Sequence, residues 1–119
     1  MLPANSTLTS GVGTFPVTLK TAGDQTITAT DSVIATLTST SGPIKVIAGS
    51  ARSFTVSEPA TATAGVAFQA VVTAKDAFNN VATGYTGTVR ITSTDSAGRM
   101  PANATLANGT GTFTVELRT

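Results

Sequence analysis

Residues 2–21 read LPANSTLTSGVGTFPVTLKT, and residues 100–119 read MPANATLANGTGTFTVELRT. At this offset of 98 residues, 12 of the 20 aligned pairs are identical, and others, such as Lys20 and Arg118, are close substitutions. A period of roughly 100 residues is that of a β-sandwich repeat. The duplication therefore predicts that the 119-residue chain contains parts of two consecutive repeats.

The composition favours an all-β fold. Eleven Gly and five Pro divide the chain into short segments, and the abundant Thr suits strand surfaces. Only 11% of residues are charged and the net charge is +1, with one Tyr and no Trp, so we expect no nucleic-acid binding. No apolar run is long enough for membrane insertion. The absence of Cys excludes disulfides and thiol chemistry.

Alternating apolar residues predict strands on both sides of a short linker. Downstream of it, the residues expected to face inward are Phe54, Val56, Phe68, Ala70, Val72, Ala74, Val89, Ile91, Phe113, Val115 and Leu117. Upstream of it, residues 22–32 and 34–49 predict two further strands, the second irregular at Gly42 and Pro43. We therefore expect the C-terminal strands of one repeat in 1–47, a linker in 48–51, and the N-terminal strands of the next repeat in 52–119.

Two runs of sequence carry a resemblance to a known family. AKDAFNNVATGYTG (74–87) and KTAGDQTITATD (20–31) resemble the tandem bacterial immunoglobulin-like repeats of surface and secreted proteins, including the invasin and intimin type. A more distant similarity is to filamin repeats. The resemblance implies an immunoglobulin-like Greek-key β-sandwich that acts as a stalk, spacer or adhesive module at an extracellular location. Units of the family run from the first strand to the last, whereas the ends of this chain are expected to fall inside two units.

Because the chain is expected to contain the end of one repeat and the start of the next, these two parts must be brought together to complete a sandwich. The last strand of a seven-stranded sandwich ends at the pole opposite the start of the first strand, about 26 Å away for a strand of about 8 residues. The linker 48–51 reaches at most about 14 Å. We therefore expect strand exchange between chains, giving a homodimer or higher oligomer. The alternative is a monomer in which residues 41–51 return along the outside of the sandwich.

No residue set points to catalysis. With no His and no Cys, the usual nucleophile–base pairs and zinc sites are excluded. Asp76, Asn79 and Asn80 are candidate oxygen ligands for Ca²⁺, although Asp and Asn also shape turns by binding their own backbone. Asp31 and Asp95 are expected to be turn residues for the same reason. Tyr85 is either a sugar-stacking ring or a residue packed across the sandwich corner.

The sequence thus predicts a non-catalytic structural or spacer module of a bacterial surface or secreted protein, without a cofactor. Its expected partners are other copies of the chain and neighbouring immunoglobulin-like repeats of a longer protein. The alternative function is an adhesion or binding module that uses its pole loops to contact carbohydrate or host protein. An atypical hydrolase is the third possibility, and it would need a deep pocket lined by two acids or by a Ser–Lys pair.

Overall fold

The computed structural model describes residues 1–119. It contains nine short strands: β1 (Gly23–Gln25), β2 (Thr28–Thr30), β3 (Thr38–Thr40), β4 (Ile44–Val46), β5 (Ser53–Ser57), β6 (Ala67–Lys75), β7 (Thr88–Val89), β8 (Ala104–Thr105) and β9 (Thr110–Glu116). All strand pairs are antiparallel and there is no helix. The predicted all-β fold class is therefore confirmed. No element is a helix of the length and apolarity that crossing a membrane requires.

The chain divides into two compact units, Met1–Ile47 and Ala48–Thr119. The second unit is built on a three-stranded sheet with the order β5-β6-β9. Its long central strand has the burial alternation that the sequence predicts, since Ala70, Val72 and Ala74 are buried. A two-stranded ribbon, β7-β8, adds Val89 to the core.

The hydrophobic core lies entirely within the second unit. Its buried members are Val72, Ala74, Ala82, Val89, Leu106 and Phe113, with Ala51, Tyr85 and Ile91 packed at the margin. Val72 has the largest side chain among the fully buried residues. Packing of this kind stabilises the unit because it removes apolar surface from water.

The core face of the sheet is only partly covered. In antiparallel pairs, directly opposed residues share a face, and Phe54 and Val56 lie opposite the buried Ala74 and Val72. Yet the side chains of Phe54 and Val56 are 47% and 56% exposed. Both side chains therefore point to the core face, as predicted, but no second layer covers this part of β5.

The first unit is a bulged hairpin without a core. Its two ribbons, β1-β4 and β2-β3, are separated by two residues on one strand and three on the other, Ser41, Gly42 and Pro43. One extra residue on one strand defines a β-bulge. The hydroxyl of Ser41 accepts a hydrogen bond of 3.0 Å from the backbone N–H of Ile27 and so replaces a ladder bond. The irregularity predicted at Gly42 and Pro43 is therefore present.

No residue of the first unit is buried. The cross-strand contacts of its β2-β3 ribbon are hydroxyl pairs, Thr28 with Thr40 and Thr30 with Thr38, at 2.8 Å each. Its large apolar side chains stay exposed, among them Leu8, Val12, Val33, Ile34, Leu37 and Ile47. Hairpins of this kind are marginally stable in water unless a further layer covers their apolar side chains.

The central strand β6 provides a direct test of the observed packing. We expect Val72→Ala to lower the free energy of unfolding by about 2 kcal/mol, because it removes two buried methyl groups and leaves a cavity. The neighbouring Val71 points to the opposite face and is 36% exposed, so Val71→Ala should cost less than about 1 kcal/mol. Urea unfolding followed by circular dichroism measures both, and equal losses would contradict the facing of β6.

Candidate functional site

The proposed Ca²⁺ ligands lie in the turn that follows β6. Asn79 has a left-handed backbone (φ 66°), and the backbone N–H of Asp76 donates to the carbonyl of Asn80 at 2.9 Å. The turn returns the chain so that Ala82 donates to the carbonyl of Ala74 at 2.8 Å. The structure thus brings Asp76 and Asn80 together, as the sequence predicts, around the end of one strand.

Asp76 is a buried carboxylate surrounded by hydrogen-bond donors. Its Oδ1 accepts from the backbone N–H of Phe78 at 2.8 Å and of Asn80 at 2.9 Å, and its Oδ2 accepts from Gly49 at 2.9 Å. The side-chain amide of Asn80 also donates to both oxygens, at 3.3 and 3.0 Å. Ca²⁺ would have to displace these donors and would meet the amide nitrogen, not the oxygen, of Asn80. The geometry therefore fits a turn-holding carboxylate and does not present a ready cation site.

The donors around Asp76 also explain its acidity. The side-chain amide of Asn80, with the backbone N–H groups of Gly49, Asn80 and Phe78, holds the pKa of Asp76 well below its ordinary value, while burial opposes this shift. Gly49 lies 27 residues away in the linker, so the carboxylate ties the linker to the end of β6. Local sequence contains no signal for this contact.

Asp95 performs a similar task at the end of β9. Its Oδ2 accepts from the backbone N–H of Arg118 at 2.6 Å and of Thr119 at 3.0 Å, and its Oδ1 accepts from Ala97 at 3.0 Å. These donors lower the pKa of Asp95 to about 2, with those of Arg118 and Thr119 having the largest effects. The carboxylate therefore fixes the chain where it leaves β9.

Asp31 is the third turn carboxylate. Its Oδ1 accepts from the backbone N–H groups of Val33 at 2.8 Å and Ile34 at 2.7 Å. The Ile34 and Val33 bonds lower the pKa of Asp31. The turn roles predicted for Asp31 and Asp95 are thus observed, and no group of three or more acidic, His or Cys side chains is placed to hold a metal ion.

Tyr85 packs edge-on against Phe54. The ring centroids are 5.5 Å apart and the planes are inclined at 69°, a favourable arrangement for two aromatic rings. Both rings border a shallow pocket of about 290 Å³ that Ala51, Arg52 and Ser53 complete. Because Phe54 belongs to the uncovered core face, this pocket lies at the margin of the open part of the sheet.

The duplicated ends fold into the same local hairpin. Ser10 and Gly11 have φ values of 53° and 78°, and Asn108 and Gly109 have 52° and 77°. Positive φ at both central residues defines a type I′ turn, which suits a two-residue hairpin. The flanking pair Thr9 and Val12 exchanges backbone hydrogen bonds of 2.9 and 3.1 Å, while Ala107 and Thr110 exchange bonds of 3.0 and 3.1 Å.

The side chains inside the two hairpins also match. A Cβ added to Gly13 would lie 2.6 Å from Cδ2 of Leu8, and one added to Gly111 would lie 2.7 Å from Cδ2 of Leu106. The surroundings differ completely: Leu106 is 2% exposed in the core, whereas Leu8 is 56% exposed. The second copy continues into β9 beside β6, but the first copy forms no strand, because no neighbouring strand pairs with it.

The candidate functional site is therefore the exposed apolar part of β5, where Phe54 and Val56 lie beside the buried residues of β6. Comparison with protein-family models, with curated proteins and with solved structures gives no match to the chain.

The Asp76 contacts predict a specific acid sensitivity. Because the folded pKa is lowered, the stabilisation is complete above the unfolded pKa, about 4, and is lost as the pH falls through that value toward the folded pKa. We expect Asp76→Asn to unfold at lower urea concentration at neutral pH and to show a shallower loss of stability between about pH 4.5 and about pH 2.

A matched control removes the same charge elsewhere. Glu58 is exposed, so Glu58→Gln should retain the slope of the unmodified protein. Urea titrations across this pH range measure the three slopes. An Asp76→Asn slope equal to that of the unmodified protein would show that the hydrogen bonds of Asp76 contribute nothing to acid sensitivity.

Proposed function

We propose that the chain is a non-catalytic structural module of a bacterial surface or secreted protein, and that its immunoglobulin-like sandwich is completed by strands from a matching copy. The observation that carries this proposal is the uncovered core face, where Phe54 and Val56 lie beside buried neighbours and yet are half exposed. An apolar face in this state attracts a second sheet.

The strand order supports the immunoglobulin-like assignment. In that fold, one sheet contains the first, second, fifth and fourth strands, and the other contains the third, sixth and seventh. Assigning β5, β6 and β9 as the first, second and fifth strands reproduces the order β5-β6-β9. The β7-β8 ribbon lies at the place of the third and fourth strands in the chain, although its pairing departs from that order, which puts these two strands in different sheets. The last two strands are missing from 48–119.

The first unit has the form of the missing strands. Its ribbons β1-β4 and β2-β3 are the two halves of one hairpin, which the family resemblance assigns to the end of a repeat. It has exposed apolar side chains and no core, whereas the second unit has a core that lacks a covering layer. The two units therefore complement each other when they come from different copies, whether neighbouring repeats of one protein or separate chains.

A structural role fits the chemistry of the acids. Three of the six carboxylates, those of Asp31, Asp76 and Asp95, are occupied by backbone donors that hold turns. Rigid turns and a completed sandwich would give a module suited to providing length and stiffness in an extracellular array. We propose no cofactor for this function.

Solution mass tests the completion by a second copy. We expect light scattering after size exclusion to give a dimer or larger species. Val56→Lys should shift the protein toward monomer, because it places a charge in the proposed inter-sheet core. Thr55→Lys is the matched control on the opposite face of β5 and should leave the mass unchanged.

Two outcomes would contradict the proposal. One is an unmodified protein that is a cooperatively unfolding monomer of 11.9 kDa, which would require residues 41–51 to run back across the sandwich. The other is a dimer that both lysine variants leave intact, which would place the interface elsewhere.

A second candidate function, a carbohydrate-binding or protein-binding module, is favoured by the Phe54–Tyr85 pair and its pocket. Tyr85 is the only Tyr of a chain without Trp, so its fluorescence reports this pocket alone. Under this function, saccharides at about 10 mM should quench that fluorescence with saturation. Tyr85→Phe should keep the affinity in calorimetry, and Tyr85→Ala should abolish it. An absence of quenching would exclude saccharide binding here.

A further inference from the structure

We infer that the N-terminal hairpin, residues 2–19, is a second occupant for the position beside β6, and that it takes this position in another copy of the chain. There it replaces residues 100–117, so that residues 12–18 pair with β6 in place of β9. The inference rests on the proposed strand exchange and names the segment that is exchanged together with residues 22–47.

The buried side chains of the two copies are identical. Within residues 100–119, the buried residues are Leu106, Gly109, Phe113 and Val115, and their counterparts are Leu8, Gly11, Phe15 and Val17. The eight substitutions fall at Met100, Ala104, Ala107, Asn108, Thr110, Thr114, Glu116 and Arg118, none of which is buried. The N-terminal hairpin can therefore place the same buried residues in the core, and its substitutions fall at half-buried or exposed positions.

One substitution introduces a proline, which could interrupt the pairing of the strand with β6, but it falls at a position that makes no hydrogen bond to β6. Pro16 stands at the position of Thr114 in the middle of β9, and Pro has no backbone N–H to donate. Ala74 donates to the carbonyl of Gly109, and antiparallel pairs alternate between bonded and non-bonded. By this register the pair Gln69 and Thr114 is non-bonded, so the N–H of Thr114 points away from β6. Pro16 would consequently cost no hydrogen bond to β6.

The hydrogen bonds that Asp95 accepts at the end of β9 could also be made to the N-terminal copy. Asp95 accepts from the backbone N–H groups of Arg118 and Thr119. The corresponding residues, Lys20 and Thr21, carry the same backbone donors. Backbone donors do not depend on the side chain, so the carboxylate can hold either copy.

Chain length indicates that the recipient is another copy. In the proposed sandwich, residues 2–47 end at the pole opposite the start of β5, about 26 Å away, and the linker 48–51 reaches at most about 14 Å. The N-terminal hairpin cannot join residues 52–99 of its own chain in this arrangement. A second chain supplies the same β6 without that restriction.

Engineered disulfides test the inference, because the chain has no Cys of its own. Val71 and Thr112 form a non-bonded pair across β6 and β9, and the Cα atoms of such a pair lie about 4.5 Å apart, within disulfide range. Thr14 is the N-terminal counterpart of Thr112. We expect Val71→Cys combined with Thr14→Cys to form a disulfide between two chains under mild oxidation, seen as a doubled mass on a non-reducing gel.

Two control variants define the register. Val71→Cys with Thr112→Cys should form a disulfide within one chain and confirms that the position beside β6 is reactive. Val71→Cys with Thr18→Cys lies four residues out of register, about 13 Å along the strand, and should not cross-link. Equal cross-linking of Thr14→Cys and Thr18→Cys would show random collision and overturn the inference.

A reciprocal pair of substitutions tests the competition between the two hairpins. In the Val71→Cys, Thr14→Cys background, Phe113→Ala weakens the occupant from the same chain, so the ratio of cross-linked to free chains should rise at least about tenfold. Phe15→Ala should lower that ratio by a similar factor, at least about tenfold. No change with either substitution would overturn the inference.

The remaining outcomes separate this inference from the proposed function. If the unmodified protein is dimeric and Val71 links only to position 112 of its own chain, residues 22–47 are exchanged but the N-terminal hairpin is not, and the inference fails alone. If the unmodified protein is a monomer, both fail. A disulfide between positions 71 and 14 within one chain, identified by mass spectrometry, would also overturn the assignment of a second copy.

Discussion

The whole arrangement depends on one constraint, that the apolar face of a sheet must be covered. Strand β6 meets this requirement over its C-terminal half, where Val72 and Ala74 pack in a cluster with Ala82, Val89, Leu106 and Phe113. The side of the sheet formed by β5 is left without a covering layer, as the exposures of Phe54 and Val56 show. The first unit has the opposite deficit, namely exposed apolar side chains and no core. Our proposal of exchange follows from these two complementary deficits.

Three carboxylates give order to a chain with few charges. Asp76 and Asp95 each accept hydrogen bonds from residues far away in sequence, Gly49 and Arg118. Both therefore reinforce segments that also meet through backbone hydrogen bonds, Arg52 with Lys75 and Arg99 with Glu116. Such bonds to an ionised group are stronger than neutral ones, which explains how turns are held at the ends of β6 and β9. Their cost is sensitivity to acid, because protonation removes the charge that the donors stabilise.

Much of the second unit could be predicted from the alternation of apolar residues. The facing of Ala70, Val72 and Ala74 follows from a period of two residues, and the bulge follows from Gly42 and Pro43. The conformation of the N-terminal copy could not be predicted, because a strand exists only with a partner strand. Residues 110–116 pair with β6, whereas residues 12–18, of nearly the same sequence, pair with no strand. The most distant donor to Asp76 could not be predicted either, because it comes from a segment far away in the sequence. The sequence indicates that Asp76 and Asn80 shape a turn, but it does not indicate that Gly49 approaches from the linker.

Pro16 has a further consequence for how far an exchanged sheet can grow. At its position, the strand beside β6 presents its backbone on the side away from β6, where the only backbone pair is that of Arg99 with Glu116. Thr114 offers an N–H there, whereas Pro16 offers none and adds a ring that hinders approach. Free edges are where sheets recruit further chains and begin to aggregate. A module that accepts the N-terminal copy would thus gain a terminated edge, which favours discrete particles over open-ended polymers.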